Sequence, residues 1–244
     1  MRITFVGSGG SVVTRRRSCS CILINDELLI DCGCGALKNL RALNVNLHNI
    51  KYVLITHFHM DHISDLIGLF WSMRMDHRTS PLTIVTPPKG ELKVRSLLEL
   101  METPKDFLTF NLNFIETTGG TITSSIKACR VSHSVPTLAY RVEINGKSVC
   151  YSGDTRPSIN LIRLAKNANL LIHEASFTHD NVELAYATWH STALQAGEIA
   201  CKAGVKRLAL FHIYDGNEDK LLAEAKRSFK GEVIVAEDLQ SITI

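Results

Sequence analysis

His57, His59, Asp61 and His62 fall within the run Thr56-His57-Phe58-His59-Met60-Asp61-His62, directly after the apolar stretch Tyr52-Val53-Leu54-Ile55. Neutral imidazole and carboxylate are the ligands that suit zinc and similar divalent ions. His57 and His59 stand two apart in an extended segment, so their side chains can converge on one side. Asp61 and His62 lie on the turn into a helix and can address a second ion. A polar loop of satisfied histidines is the bland alternative, but four titratable groups crowded behind a buried strand would lack partners there. For the isolated His48, His77 and His179 a plain core or surface role is expected.

The elements that must position this cluster are short and interleaved. Ile3–Val6, Cys21–Ile24 and Leu28–Ile30 read as apolar strands separated by Gly, Asn and Asp, with a helix over Ala36–Leu43. After the buried strand Tyr52–Ile55, apolar residues at Ile63, Leu66, Ile67, Phe70 and Trp71 have helical spacing, so a helix starts close to Asp61. A strand over Leu82–Val85 and an amphipathic helix over Leu92–Met101 precede a β-rich middle from Leu112 to Tyr151, where Asn145-Gly146 joins two alternating strands, a strong hairpin signal. The last third reads as strand Leu170–Ile172, helix Ser191–Ala203, strand Arg207–Phe211 and two terminal strands. The expected class is α/β, with two sheets packed face to face and helices outside, in one domain spanning residues 1–244.

With 45% hydrophobic residues the chain can bury a sizeable core, and its net charge of +3, from 27 Lys+Arg against 24 Asp+Glu, is too small to imply nucleic acid by bulk electrostatics. Arg15, Arg16 and Arg17 form the one dense basic patch, readable either as cleft-lining or as a solvated loop. No signal peptide or run of eighteen apolar residues is present, so a soluble cytoplasmic protein with no membrane partner is expected. The odd count of seven cysteines suits reduced thiols. For the pairs Cys19/Cys21 and Cys32/Cys34 two readings stand: a tetrahedral thiolate zinc site, or small buried hydrophobes on adjacent strands.

The run His57-Phe58-His59-Met60-Asp61-His62 resembles the H-x-H-x-D-H signature of the metallo-β-lactamase superfamily. The resemblance implies that superfamily's αβ/βα four-layer sandwich. It also implies a further histidine, a bridging aspartate and a final histidine, carried by order and context onto His133, Asp154 and His212, each at a strand end. Within the superfamily the chain is most similar to ribonuclease Z and its small phosphodiesterase relatives. That likeness lies in Phe5-Val6-Gly7-Ser8-Gly9-Gly10, Asp31-Cys32-Gly33, His173-Glu174-Ala175-Ser176-Phe177 and His190-Ser191-Thr192. A tight strand turn is at least as good a reading of the glycine loop as phosphate contact.

Three departures stand out. Asp31-Cys32-Gly33 continues as Cys34-Gly35-Ala36-Leu37 where the family has a glutamate and a glutamine. His212 is followed by Ile213-Tyr214-Asp215-Gly216 rather than Ser-x-Arg-Tyr, and Asp215 would repel phosphate. Asn145-Gly146 closes the hairpin where ribonuclease Z inserts the arm that grips tRNA, which argues against that arm at this place.

The resemblance implies a dinuclear metal-dependent phosphodiester hydrolase. His57, His59 and His133 would hold one ion, Asp61, His62 and His212 the other, and Asp154 both. The cofactors expected are two divalent ions, zinc first and manganese or iron otherwise. Asp61 can also orient the attacking hydroxide, and His190, oriented by Glu174, would protonate the leaving oxygen. The candidate partners are a phosphodiester substrate, with precursor tRNA as the macromolecular candidate, and a second copy of the chain as a homodimer. Two further functions compete: a hydrolase of small or cyclic phosphodiesters or other esters, favoured by the departures, and a nucleic-acid-binding module with a residual metal site, disfavoured because every ligand is present.

Overall fold

The computed structural model describes residues 1–244. In chain order the elements are β1 (Arg2–Gly7), β2 (Cys21–Ile24), β3 (Leu28–Ile30), α1 (Ala36–Ala42), β4 (Tyr52–Leu54), α2 (Met60–Ile63), α3 (Leu66–Met75), β5 (Leu82–Thr86), α4 (Gly90–Leu100) and β6 (Leu112–Glu116). They continue with β7 (Gly119–Thr121), β8 (Ile126–Val131), β9 (Thr137–Ile144), β10 (Lys147–Tyr151), α5 (Ile159–Leu164), β11 (Leu170–Glu174), α6 (Val182–Ala187), α7 (Ala193–Ala203), β12 (Arg207–Phe211), α8 (Glu218–Ser228), β13 (Glu232–Val235) and β14 (Ser241–Thr243).

Two seven-stranded mixed sheets result, ordered β14-β1-β2-β3-β4-β5-β6 and β13-β12-β11-β10-β9-β8-β7. Alternation along each strand decides the layering. Phe5, Ile22, Ile24, Leu54 and Val85 of the first sheet meet Leu138, Tyr140, Tyr151, Ile172 and Phe211 of the second in one buried cluster, the seam between the sheets. The opposite faces are covered by helices. Leu40 of α1, Phe70 of α3 and Val94 of α4 pack on the first sheet, and Leu161 of α5, Ile199 of α7 and Leu221 of α8 on the second. This is the four-layer sandwich that the H-x-H-x-D-H resemblance implied, and no helix is long and apolar enough to cross a membrane.

Helices α5, α6 and α8 are not among the elements expected from the sequence. The one long helix among them, α8, has Asn217 before Glu218 and Asp219 and carries Lys226 and Arg227 in its last turn, the polarity a helix dipole favours. The helix expected from Asp61 is two, because Asp65 turns back: its backbone N–H donates to the Cys32 carbonyl at 3.0 Å and its carboxylate accepts from the Leu37 N–H at 3.0 Å. The helix expected from Ser191 starts at Ala193: Thr192 caps it, in a capping box with Gln195, while the Ser191 hydroxyl donates to the Thr155 carbonyl at 2.6 Å. Asn145 and Gly146 do close β9 onto β10, with φ of 51° and 71° and Ile144 facing Lys147.

Cys21 and Cys32 are core residues. Burial drives both thiols well up, and it lifts Cys19, with help from the Asp61 charge, to about 11. They behave as small hydrophobes. The arginine run serves neither role foreseen for it as a unit. The Arg17 side chain is 1% exposed and donates to Asp215 at 3.0 Å, Ser8 at 2.6 Å and the Ala236 carbonyl at 2.6 Å. Asp215 is therefore the partner of a buried cation, which offsets the charge expected to repel phosphate.

Candidate metal centre

Strand β4 of the first sheet and the parallel strands β10, β11 and β12 of the second end at the same rim, the position where α/β sheets collect ligand sites. Chain leaving β4 delivers His57, His59, Asp61 and His62; chain leaving β8 delivers His133; Asp154 follows β10 and His212 follows β12. Two groups of potential ligands form, His57, His59, His133 and Asp154 in one and Asp61, His62, Asp154 and His212 in the other. The ligand atoms in each lie within 4.8 Å of one another. Asp154 belongs to both. Its Oδ2 is 3.7 Å from His57 Nε2, 3.3 Å from His62 Nε2, 4.0 Å from His133 Nε2 and 3.4 Å from His212 Nε2. All seven metal-ligand candidates read from the sequence are thus brought to one place.

Whether these groups fit cations is answered by their unmet demands. His57 Nε2, His62 Nε2 and Asp154 Oδ1 are buried with no hydrogen-bond partner. Leaving such atoms unpaired costs on the order of 1–3 kcal/mol each. Two carboxylates, Asp61 and Asp154, face one another across imidazoles, and a divalent cation in each group would meet every one of these demands. The protonation states divide. Burial lowers the proton affinity of His62, but Asp154 and Asp31 outweigh it and drive that ring well above the ordinary imidazole range, so it would release a proton on taking a cation. His57, Asp61 and Asp154 already stand in their ligating forms. Burial and the neighbouring His62 charge hold His57 well below the ordinary imidazole range, the neutral form that ligates. Burial pushes the Asp61 carboxyl up, but the hydrogen bond from His212 and the His62 charge outweigh it and bring it to about 2. Asp154 is likewise well below the usual carboxylate range, burial being overcome by His212 and His62.

Behind the ligands stand two buried carboxylates, Asp31, which the sequence reading left without a role, and Glu174, which it set beside His190. Asp31, wholly buried, accepts from His62 Nδ1 at 2.8 Å and from the Thr56 hydroxyl at 2.8 Å. The Thr56 oxygen in turn lies 3.0 Å from His57 Nδ1. Both rings are thereby turned so that Nε2 points inward. Glu174, also wholly buried, repeats the pattern on the other sheet. It lies 3.0 Å from His190 Nδ1 and accepts from the Ser176 hydroxyl at 3.0 Å, whose oxygen is 2.9 Å from His212 Nδ1. Partners of this kind fix tautomer and orientation. The Asp31-Cys32-Gly33 turn was legible as a motif, but its contact with His62, 31 residues away, was not. His133 is held by a carbonyl instead, donating from Nδ1 to Trp189 at 3.0 Å.

The glycine loop proves to be a matter of close approach. A Cβ on Gly10 would sit 2.8 Å from His212 Cε1, so only glycine lets that loop lie against the ring. His190 sits at the open side, its ring stacked on His212 at 5.4 Å. Burial lowers its proton affinity, but the Glu174 charge and hydrogen bond outweigh that and raise it to about 9.

Ribonuclease Z of Methanosarcina acetivorans is 29% identical to this chain, with all of the chain and 98% of the relative covered. The alignment spans 304 positions against the 244 residues here, so the relative carries sequence with no counterpart in this chain. The metallo-β-lactamase fold protein YhfI of Bacillus subtilis superimposes with a TM-score of 0.85 at 26% identity, covering 99% of this chain and 98% of its own. The short form of human tRNase Z gives 0.85 at 25%, covering 100% and 99%. With the two ligand groups, these likenesses define a metal-dependent phosphodiester hydrolase of the metallo-β-lactamase fold. The model of the family described as anti-Pycsar protein Apyc1 matches residues 1–225, and the chain belongs to that family.

Proposed function

We propose that the chain binds two divalent ions, zinc by preference of its imidazole-rich groups, and hydrolyses small phosphodiesters. His57, His59 and His133 would hold one ion, Asp61, His62 and His212 the other, and Asp154 both. The observation that carries this reading is Asp154 Oδ2 within 4.0 Å of four imidazole nitrogens drawn from both groups. Bound there, the ions would supply Lewis acidity, acidifying a water and offsetting charge on the phosphoryl oxygens.

The protein groups do the rest. Asp61, ionised and at the edge of the cluster, accepts a hydrogen bond from the attacking water and aims it. His190 holds a proton on the side of its ring away from Glu174 and delivers it to the departing oxygen. Glu174 keeps that imidazole protonated and oriented. The buried sheet behind the site excludes water from all but the open rim. Seven free cysteines suit a reducing compartment, and the cytoplasm is the proposed one.

Small substrates are favoured over tRNA by two features. The two-residue turn at Asn145-Gly146 leaves no arm there, and Arg17 is turned inward on Asp215, so phosphate contacts that would give affinity for a polyanion are few. Cleavage of precursor tRNA is the second reading, favoured by the full-length match to proteins named ribonuclease Z. Metal-loaded protein assayed side by side on bis-p-nitrophenyl phosphate and on a 3′-extended precursor tRNA tests the choice. Ready hydrolysis of the small ester with weak, strongly salt-dependent RNA cleavage is expected. Efficient RNA cleavage at moderate salt with no hydrolysis of the small ester would reverse it.

A further inference from the structure

Beside the proposed acid the chain builds a feature that metal chemistry does not use. Arg156, two residues after Asp154, places its guanidinium carbon 3.7 Å from the Tyr186 ring centroid and 3.6 Å from the Trp189 centroid. Both aromatic rings thus pack against one guanidinium. Arg156 Nε donates to the Tyr186 carbonyl at 2.7 Å, and Nη2 donates to the same oxygen, which locks the cation in place. The result is a fixed stack of tyrosine, arginine and tryptophan.

The stack stands at the rim of the metal centre. Trp189 immediately precedes His190, and its carbonyl receives the hydrogen bond from His133 Nδ1 at 3.0 Å. Its φ of 65° is a left-handed conformation that a bulky side chain rarely adopts, a form of strain that collects at functional sites. Trp189 is 36% exposed and Tyr186 64% exposed, an unusual degree of exposure for large aromatics that are already held by a cation. Arg156 packs on the indole, and Trp189 still keeps 36% of its surface exposed beside the site.

We infer that the outer face of Trp189 is a stacking platform for a planar heteroaromatic ring carried by the phosphodiester, a nucleobase, with Arg156 and Tyr186 as its rigid backing. This rests on the phosphodiesterase reading above. A ring already immobilised loses little further freedom when a ligand stacks on it. Stacking on an aromatic face tolerates any base, because every base presents a π-face. Because Trp189 precedes His190 and its carbonyl holds His133, such a ring would belong to a group carried close to the scissile phosphate.

Two measurements decide it. The chain has two tryptophans, so Trp71→Phe leaves Trp189 as the sole indole. Titration of that protein with thymidine 5′-monophosphate should quench its emission saturably, and ribose 5-phosphate should not. Equal quenching by both, or by neither, would overturn the platform. In the second, Trp189→Ala should raise KM for thymidine 5′-(p-nitrophenyl phosphate) about tenfold or more while methyl p-nitrophenyl phosphate, with the same leaving group, changes less than about twofold. Trp189→Phe should retain most of the wild-type preference. Equal losses on both esters, with kcat falling, would make Trp189 a support for His133 and nothing more. If neither ester is hydrolysed by wild type, the phosphodiesterase reading falls and the fluorescence titration alone decides the platform.

Discussion

The two sheets furnish the centre with the same device put to different ends. Asp31, on the first sheet, backs His62 directly and His57 through Thr56. Glu174, on the second, backs His190 directly and His212 through Ser176. In each case a hydroxyl donates to a buried carboxylate and can accept from a histidine Nδ1. What differs is where the direct client sits. His62 is wholly buried among ligands, whereas the His190 side chain is 17% exposed and belongs to neither ligand group. On the proposed function, one carboxylate would serve cation binding alone, and the other would be shared between a cation ligand and a proton donor at the rim.

The comparison is sharpened most by breaking the second sheet's pair. His190→Ala should lower kcat about 10²–10⁴-fold on a phosphodiester with an alkoxide leaving group and far less on a p-nitrophenyl ester, whose leaving group needs no proton. Metal content should stay unchanged; a parallel drop on both esters would make His190 structural. Glu174→Gln extends this to pH. The Glu174 charge raises His190 to about 9, so the acid is present below that value and lost as pH rises through it. Removing the charge should move the alkaline limb of kcat downward by a unit or more, and a limb that does not move would detach Glu174 from the acid.

Breaking the first sheet's pair should look different. Asp31 adopts a φ of 58°, a conformation asparagine also tolerates, so Asp31→Asn keeps the turn while weakening the hold on His62. A loss of about 10–100-fold in metal affinity is expected, with activity restored by excess zinc. The His190→Ala and Glu174→Gln defects on alkoxide substrates should resist that rescue. Rescue of all three, or of none, would erase the distinction between the two carboxylates. The smallest effects belong to the exposed arginines. Arg15→Ala and Arg16→Ala should change small-ester hydrolysis less than about twofold, measured at two salt concentrations, since Arg16 pairs with Glu218 and Glu237 at the surface.

The legibility of these parts in the sequence follows from how local each one is. His57, His59, Asp61 and His62 announce themselves because four ligand types crowd one strand end. His133, Asp154 and His212 were readable as strand-end residues in the superfamily's order. Their supports were not, because Asp31 to His62 and Ser176 to His212 are contacts made only when separate strands meet at one rim. Arg17 misled for a related reason. Its neighbours in sequence are exposed, and only the fold brings Asp215 and the Ala236 carbonyl to its guanidinium. The sandwich itself was legible from apolar strands split by helical patterns, while α5 and α6, six residues each, are too short to leave a periodic trace.

The central claim is that Asp154 joins two cation sites into one centre. Titrating metal-free protein with zinc, followed by elemental analysis after gel filtration, measures it directly. Wild type should retain about two ions per chain, and Asp154→Ala should lose tight binding at both positions together, since each would forfeit its shared charged ligand. Retention of a single ion by wild type, or of two by Asp154→Ala, would contradict it.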